Sequence, residues 1–500
     1  MRKRTYWKNR HGYLWGVMLM AVALCFTSCK DDDEQENAAF DPTKPVVITN
    51  FTPKEASYGS DIVLYGENFG NDPSKVKVTI GGKNARIIGL KNQSIYCVVP
   101  KSATKKNVQL EILNENGEAI ALAKAEEEFT YIKKWLVSTF IGTHYEESSQ
   151  FVEKDGPFND CGGFNNVFWF SWDPKSNFDK LYFTTEGKNI RLIDFTKENA
   201  DGTKGYVSTL NTRFTKVTAM TWTAPTDKAH DQDMIYSENH SSDSKEANYL
   251  YTRASGFKNE TLLGGYARGV NGNMVHPING EFYFSRYRAG DVWRYDFATN
   301  TQELAFPLPY SGVATYMVPH PTGNYAYLLL QERYYIARTD YDWASKTFTA
   351  PYTICGQPND WGYVDAVGTR AKINRPIQGV FVYNPEYEGQ EDEYDFYFCD
   401  KNNHCIRILT PTGRITTFAG RGNNKESGYN DGDLRSQALF SEPRAIAYDE
   451  KRNCFYVGDG LNKVIRKIEL ERTDDEQEAI EDENDGNVGS EGEENQKTEE

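Results

Sequence analysis

Two stretches of the chain spell the same strand–turn–strand. Phe396-Tyr397-Phe398-Cys399-Asp400-Lys401-Asn402-Asn403-His404-Cys405-Ile406-Arg407-Ile408 is matched by Phe455-Tyr456-Val457-Gly458-Asp459-Gly460-Leu461-Asn462-Lys463-Val464-Ile465-Arg466-Lys467. Asp400 aligns with Asp459, Asn403 with Asn462, and Ile406-Arg407 with Ile465-Arg466. Looser copies run through Leu181–Leu192 and Phe282–Arg294. A fixed repeat constrains a fold more than any single motif, because each unit must bury its faces against the next. Every unit reads as four strands, A to D, with a turn after A. Those turns carry Asp173-Pro174, Ala224-Pro225, His276-Pro277, His320-Pro321, Asn384-Pro385 and Asp449. Six such turns imply six four-stranded blades around an axis, a β-propeller. The last unit has strands A to C but no D after it, whereas Leu136-Val137-Ser138-Thr139-Phe140 reads as a D strand ahead of the first A. The first strand is therefore expected to close the last blade and remove two open sheet edges.

The stretch ITTFAGRGNNKESGYNDGDLRSQALFSEPRAIAYD, with its AG, DG, A-x-F, proline and apolar strand, resembles the NHL repeat. ICGQPNDWGYVDAVGTRAKINRPIQGVFVYNP, one blade earlier, is similar. Upstream lie short alternating strands at Ile62–Tyr65, Val76–Ile80, Ile95–Val99 and Val108–Ile112, punctuated by Gly59, Gly66 and Gly70. Alternation of this kind puts one face in a core and the other in water, and some seven such strands suit an immunoglobulin-like sandwich. Tyr65-Gly66-Glu67-Asn68-Phe69-Gly70, Gly81-Gly82, Pro100 and Phe129-Thr130-Tyr131 resemble the IPT/TIG domain. The expected fold is all-β: an IPT/TIG sandwich over 45–132 and a six-bladed NHL-type propeller over 136–469.

The ends are different in kind. Residues 1–28 carry Arg2, Lys3, Arg4, Lys8 and Arg10 with no acid, then an apolar run from Tyr13 to Phe26. This has the layout of a secretory signal. Thr27-Ser28-Cys29 resembles a bacterial lipoprotein cleavage site, which implies lipid on Cys29, and the acidic residues 30–36 resemble the surface-export signal of Bacteroidetes lipoproteins. Residues 29–44 are then a lipidated acidic linker, and the location implied is the outer membrane, facing outward. Residues 471–500 hold fourteen acids and two bases, so 470–500 is expected to be a disordered acidic tail. Although the whole chain is at −16, the part between these ends is near neutral, without the basic face of a nucleic-acid binder. Six cysteines remain after Cys25 and Cys29, with no CxxC spacing. Cys399 and Cys405 flank a turn and could bridge; buried free thiols are the alternative.

In an antiparallel meander the D-to-A and B-to-C connections emerge on one face. That face is expected to collect Trp361, Tyr363 and Arg375 from 356–375, Tyr429 and Arg444 from 420–444, Tyr266 and Arg268 from 264–271, and Tyr310 from 307–312. B-to-C turns add Arg286, Tyr287, Arg288, Asn402 and His404. Flat rings stack on sugar faces, while amides and guanidinium groups reach hydroxyls and carboxylates. The family resemblance implies a non-catalytic surface glycan binder of a polysaccharide-uptake system, with an importer and neighbouring lipoproteins as further partners. A protein-interaction platform is the second reading and a propeller lyase or hydrolase the third. No HExxH or GxSxG is present, and His276 and His320 fall in turns on the opposite face. No metal or other cofactor is expected; calcium at Asn430-Asp431-Gly432-Asp433 is the alternative to an ordinary DG turn.

Overall fold

The computed structural model describes residues 37–144, 153–185, 189–211, 217–238, 247–264, 269–422, 426–474 and 476. The chain divides into two compact units, Met1–Lys134 with Glu471–Glu500, and Trp135–Leu470.

The first unit is a sandwich of seven principal strands. In spatial order they are Val47–Thr52, Asp61–Glu67, Ser94–Val98, Lys83–Lys91, Val76–Ile80, Val108–Leu113 and Ala119–Lys124. The nine-residue strand Lys83–Lys91 joins the two layers: its start pairs with Val76–Ile80 and its end with Ser94–Val98. Strict alternation buries Val76, Val78 and Ile80 while Lys77 and Thr79 turn outward. Phe51, Ile62, Leu64, Phe69, Ile95, Leu110 and Phe129 fill the space between the layers. Gly66 is required where it stands, because a Cβ there would lie 1.9 Å from Val47 O.

The sequence reading ends the folded region at 469, and here the structure differs. Leu470 completes the last propeller strand, and the residues after it pack on the sandwich. Glu471 and Thr473 are buried. Glu471 N donates to Lys134 O at 2.8 Å, the Tyr131 hydroxyl donates to Glu471, and Ser102 Oγ donates to Asp474 Oδ1 at 2.9 Å. The start of the acidic run is thus used by Tyr131, Ser102 and Lys83 as a set of hydrogen-bond and ion-pair partners. Residues 477–500 lie outside the described residues.

The second unit is the six-bladed ring. The inner A strands are Val167–Trp172, Val217–Trp222, Val270–Val275, Thr315–Pro319, Pro376–Tyr383 and Pro443–Asp449, one for each of blades 1 to 6. Blade 6 continues with Cys454–Asp459 and Val464–Leu470, and its D strand is Trp135–Ile141, as the missing fourth strand had implied. The closing ladder is antiparallel and pairs Trp135 with Leu470, Val137 with Ile468 and Thr139 with Arg466.

Side chains meet across the axis. Blades 1 and 4 face each other across the ring, and there Phe168 and Trp169 meet Tyr316 with ring centroids 5.7 and 5.9 Å apart. All three are buried. Gln378 of blade 5 bridges two other blades. Its Oε1 accepts from Phe170 N at 2.9 Å and Ile446 N at 3.2 Å, while Nε2 donates to Phe170 O at 2.7 Å. These bonds satisfy inner-strand backbone groups that have no neighbouring strand on the axial side.

The six cysteines Cys97, Cys161, Cys355, Cys399, Cys405 and Cys454 are buried free thiols. Cys399 pairs across the hairpin with Ile406, and Cys405 with Asp400. That one-residue offset puts the two thiols on opposite faces of the sheet, so they do not bridge.

Candidate functional site

Three D-to-A loops are fastened by one recurring device. An aspartate in the loop pairs with a buried arginine from strand C of the next blade and accepts from a threonine on its strand D. In blade 5 Arg407 Nη2 donates to Asp365 Oδ1 at 2.6 Å and Nη1 to Asp400 Oδ2 at 2.8 Å, with Thr417 N on Asp365 Oδ2 at 3.1 Å. In blade 6 Arg466 joins Asp431 at 2.5 Å and Asp459 at 2.9 Å, with Thr139 N on Asp431 Oδ2 at 3.2 Å. In blade 1 Arg191 joins Asp155 at 2.7 Å, and Thr209 N donates to Asp155 at 2.7 Å. All three arginines are buried.

This device claims two residues that sequence reasoning assigned to ligand. Tyr363 and Tyr429 each stand two residues before the loop aspartate. Their rings lie 4.9 and 5.0 Å from the Arg407 and Arg466 guanidinium carbons. Their hydroxyls meet Thr417 Oγ1 at 2.7 Å and Thr139 Oγ1 at 2.6 Å. Both are built into the repeat, although Tyr429 keeps an exposed face with His144 stacked on it at 3.9 Å. In the Asn430–Asp433 turn, Asp431 is charge-paired with Arg466, and Asp433 Oδ1 accepts from Arg435 N, Ser436 N and Ser436 Oγ. Among the described residues no group of three or more His, Cys, Asp or Glu side chains gathers as a metal cage.

Four other candidates come together where blades 5 and 6 meet. Arg375, Asn402, His404 and Arg444 sit around Lys401 and Glu442, neither of which sequence reasoning had singled out. Lys401 Nζ and Arg444 Nη2 both reach Glu442 Oε2, at 2.9 and 2.8 Å. Lys401 and Arg444 are only 8% and 7% exposed. Burial opposes the charge on Glu442, but Lys401 and Arg444 hold its carboxyl below the ordinary range. Burial, with Arg444 and Arg375 close by, draws Lys401 down. Burial also lowers His404, with Lys401 adding to the effect and Glu442 opposing it. His404 Nδ1 accepts from Glu442 N at 3.1 Å, which fixes its neutral tautomer toward that backbone.

Trp361 belongs to the same corner. The short 3-10 turn Lys401–Asn403 pins both neighbouring segments: Asn402 N donates to Asn374 O at 3.0 Å, beside Arg375, and Asn403 Nδ2 donates to Gly362 O at 2.8 Å, beside Trp361. Trp361 is 52% exposed, although apolar burial would favour hiding it. Around the ring from there, Arg333 donates to Asn359 Oδ1 at 2.7 Å and lies 4.6 Å from the Tyr310 ring. Tyr287 is tied by backbone to Gly312 at 2.7 Å. Arg286 is occupied: it forks Asp291 at 2.7 and 2.5 Å and lies 4.2 Å from the Trp293 ring. Arg288 is exposed. Cys29, Tyr266 and Arg268 lie outside the described residues.

The opposite face carries clefts the loop-face argument did not anticipate. One of about 650 Å³ is lined by His230, Glu281, Arg294 and Phe297. A smaller one, of about 300 Å³, lies beside His320, Arg338 and Asp392. His276 and His320 serve the turns there: His276 Nδ1 accepts from Ile278 N and Asn279 N at 3.3 Å, and His320 Nδ1 from Thr322 N at 3.3 Å.

Comparison with known proteins fits this architecture. The model of the IPT/TIG domain family matches residues 45–131. A solved structure from Bacteroides thetaiotaomicron, described as an auxiliary nutrient binding protein, is 49% identical, with a TM-score of 0.77 over 87% of this chain and 100% of its own. An auxiliary nutrient binding protein of Bacteroides ovatus is 40% identical, with a TM-score of 0.66 over 87% and 100%. A second Bacteroides thetaiotaomicron protein, provisionally described as a phosphatase, is 34% identical, with a TM-score of 0.74 over 87% and 99%. The NHL repeat-containing protein 2 of Bos taurus is 29% identical over 112 residues, which span 22% of this chain and 14% of that protein.

Proposed function

The chain belongs to the same family as these Bacteroides sandwich–propeller proteins, and on that premise we propose that it is a non-catalytic, cell-surface lipoprotein that captures polysaccharide on the loop face of its propeller. The observation that carries the reading is the blade 5–6 corner. It gathers an exposed tryptophan, an amide and guanidinium groups around the Lys401–Asn403 turn, the mixture that sugar rings and hydroxyls select. Two relatives bear nutrient-binding descriptions, which supports a capture role. Phe168, Trp169 and Tyr316 pack together across the ring centre, which supports placing the ligand on the loop face rather than at the axis. Lipid on Cys29 would hold the protein at the outer membrane, with the sandwich as spacer, and would present the propeller to polymer and to an importer.

Affinity electrophoresis of the chain from residue 30 onward against a panel of neutral and acidic polysaccharides tests this. Retardation by at least one polymer, with no release of reducing ends, is expected. Retardation by none, or steady release of product from a retarding polymer, contradicts it.

A further inference from the structure

Among the described residues, the corner between blades 5 and 6 gathers three cations near one carboxylate, that of Glu442. Lys401 and Arg444 both reach the carboxylate of Glu442, at 2.9 and 2.8 Å. Arg375 stands near enough to act on Lys401, yet no carboxylate among the described residues pairs with it. Arg375 is therefore a cation without a carboxylate partner among the described residues, and it stands beside two cations that are more than nine-tenths buried. Like charges held close together favour an anion brought to them, and this arrangement occurs on a chain whose net charge is −16.

The site is also built rather than incidental. Arg375 has φ +64°, a conformation uncommon outside glycine, and the following Pro376 fixes its backbone further. Its neighbour Asn374 is held twice: its N–H donates to the buried Asp400 at 2.6 Å, and its carbonyl accepts from Asn402 N at 3.0 Å. Asn402 keeps a buried Oδ1 with no hydrogen-bond partner. An unpaired guanidinium offers a planar fork matched to an oxyanion, and an amide oxygen beside it can accept from a hydroxyl. The matching positions of blade 6 are Glu442 and Leu461, so the repeat does not require this chemistry.

We propose that this corner binds the anionic oxygen group, a carboxylate or a sulfate ester, of an acidic polysaccharide, with Arg375 as the principal fork and Asn402 accepting a hydroxyl of the same sugar. The proposal rests on the glycan-capture reading and adds the class of glycan.

The test is isothermal titration, with affinity electrophoresis, of wild type, Arg375→Ala and Arg375→Lys against four polymers: polygalacturonate, the same polymer with its carboxyl groups reduced, dextran sulfate and dextran. At least one anionic polymer should bind at least about tenfold more tightly than its neutral counterpart, a difference of about 1.4 kcal/mol. Arg375→Ala should lose about tenfold on that polymer with an unchanged melting temperature, and Arg375→Lys should recover part of the loss. Preference for polygalacturonate identifies a carboxylate, and preference for dextran sulfate a sulfate ester. Equal binding of neutral and anionic partners overturns the proposal and leaves glycan capture standing. Anionic binding that ignores Arg375 overturns it as well, because diffuse charge elsewhere would then be responsible. Binding of none of the four, here and across the wider panel, overturns both.

Discussion

Arg466→Ala is expected to cost the propeller about 3–5 kcal/mol, the range for breaking a buried ion pair from one side. Arg466 is fully buried and satisfies four acceptors: Asp459 at 2.9 Å, Asp431 at 2.5 Å, Leu439 O at 3.0 Å and Asn430 O at 2.8 Å. Removing it strands Asp459, also fully buried, with Asn462 and Ser441 N as its remaining partners. It also frees the 430–431 loop from its blade. Burial already pushes Asp459 up to about 6 against the pull of Arg466. Without the arginine its folded-state value must rise further. A carboxyl raised above its unfolded value binds a proton in the folded state first, so stability falls as pH rises through that window. The deficit of the variant should therefore be larger at pH 8 than at pH 5, as read from urea midpoints. A variant within about 0.5 kcal/mol of wild type, the ordinary range for a surface change, would show that the pair does not hold the blade.

Val137→Asp should be comparably severe, for a different reason. Val137 is buried in the closing strand, paired with Ile468 on one side and Gly432 on the other. It packs in the cluster of Ile446, Phe455 and Ile468. An aspartate there buries a carboxylate among apolar groups, which costs several kcal/mol unless it is protonated. Because this strand is the clasp of the ring, the loss should lower the whole propeller transition, followed by calorimetry, rather than fray one edge. An unshifted propeller transition would contradict closure by Trp135–Ile141.

Repetition made the architecture legible. Two matching hairpins at Asp400 and Asp459, six turns after strand A, and a D strand found only at the front were enough to place the blades and the clasp. Repetition also misled where it was not followed far enough. Tyr363-Val364-Asp365 and Tyr429-Asn430-Asp431 occupy the same repeat position, and that recurrence marks both tyrosines as partners of the buried arginines. The corner residues show the converse. Lys401 stands where blade 6 has Gly460, and Arg375 stands where it has Glu442. Departures from a repeat are where a scaffold is free to carry function, and that signal would have found Lys401 and Glu442. The fate of Glu471 and Asp474 was hidden for another reason. A run of acids reads as a solvated tail, and only the fold supplies Tyr131, Ser102 and Lys83 to receive its first members. The opposite-face cleft at His230 and Phe297 was illegible as well, because it arises from turns of two adjacent blades and from no motif.

Those two faces make the central claim testable by one comparison. Affinity for a retarding polysaccharide should be measured by isothermal titration for Trp361→Ala on the loop face and Phe297→Ala in the opposite cleft. Loss of at least about tenfold, about 1.4 kcal/mol, is predicted for Trp361→Ala, with Phe297→Ala indistinguishable from wild type. Loss in Phe297→Ala with Trp361→Ala unaffected would place the ligand on the other face and contradict the account.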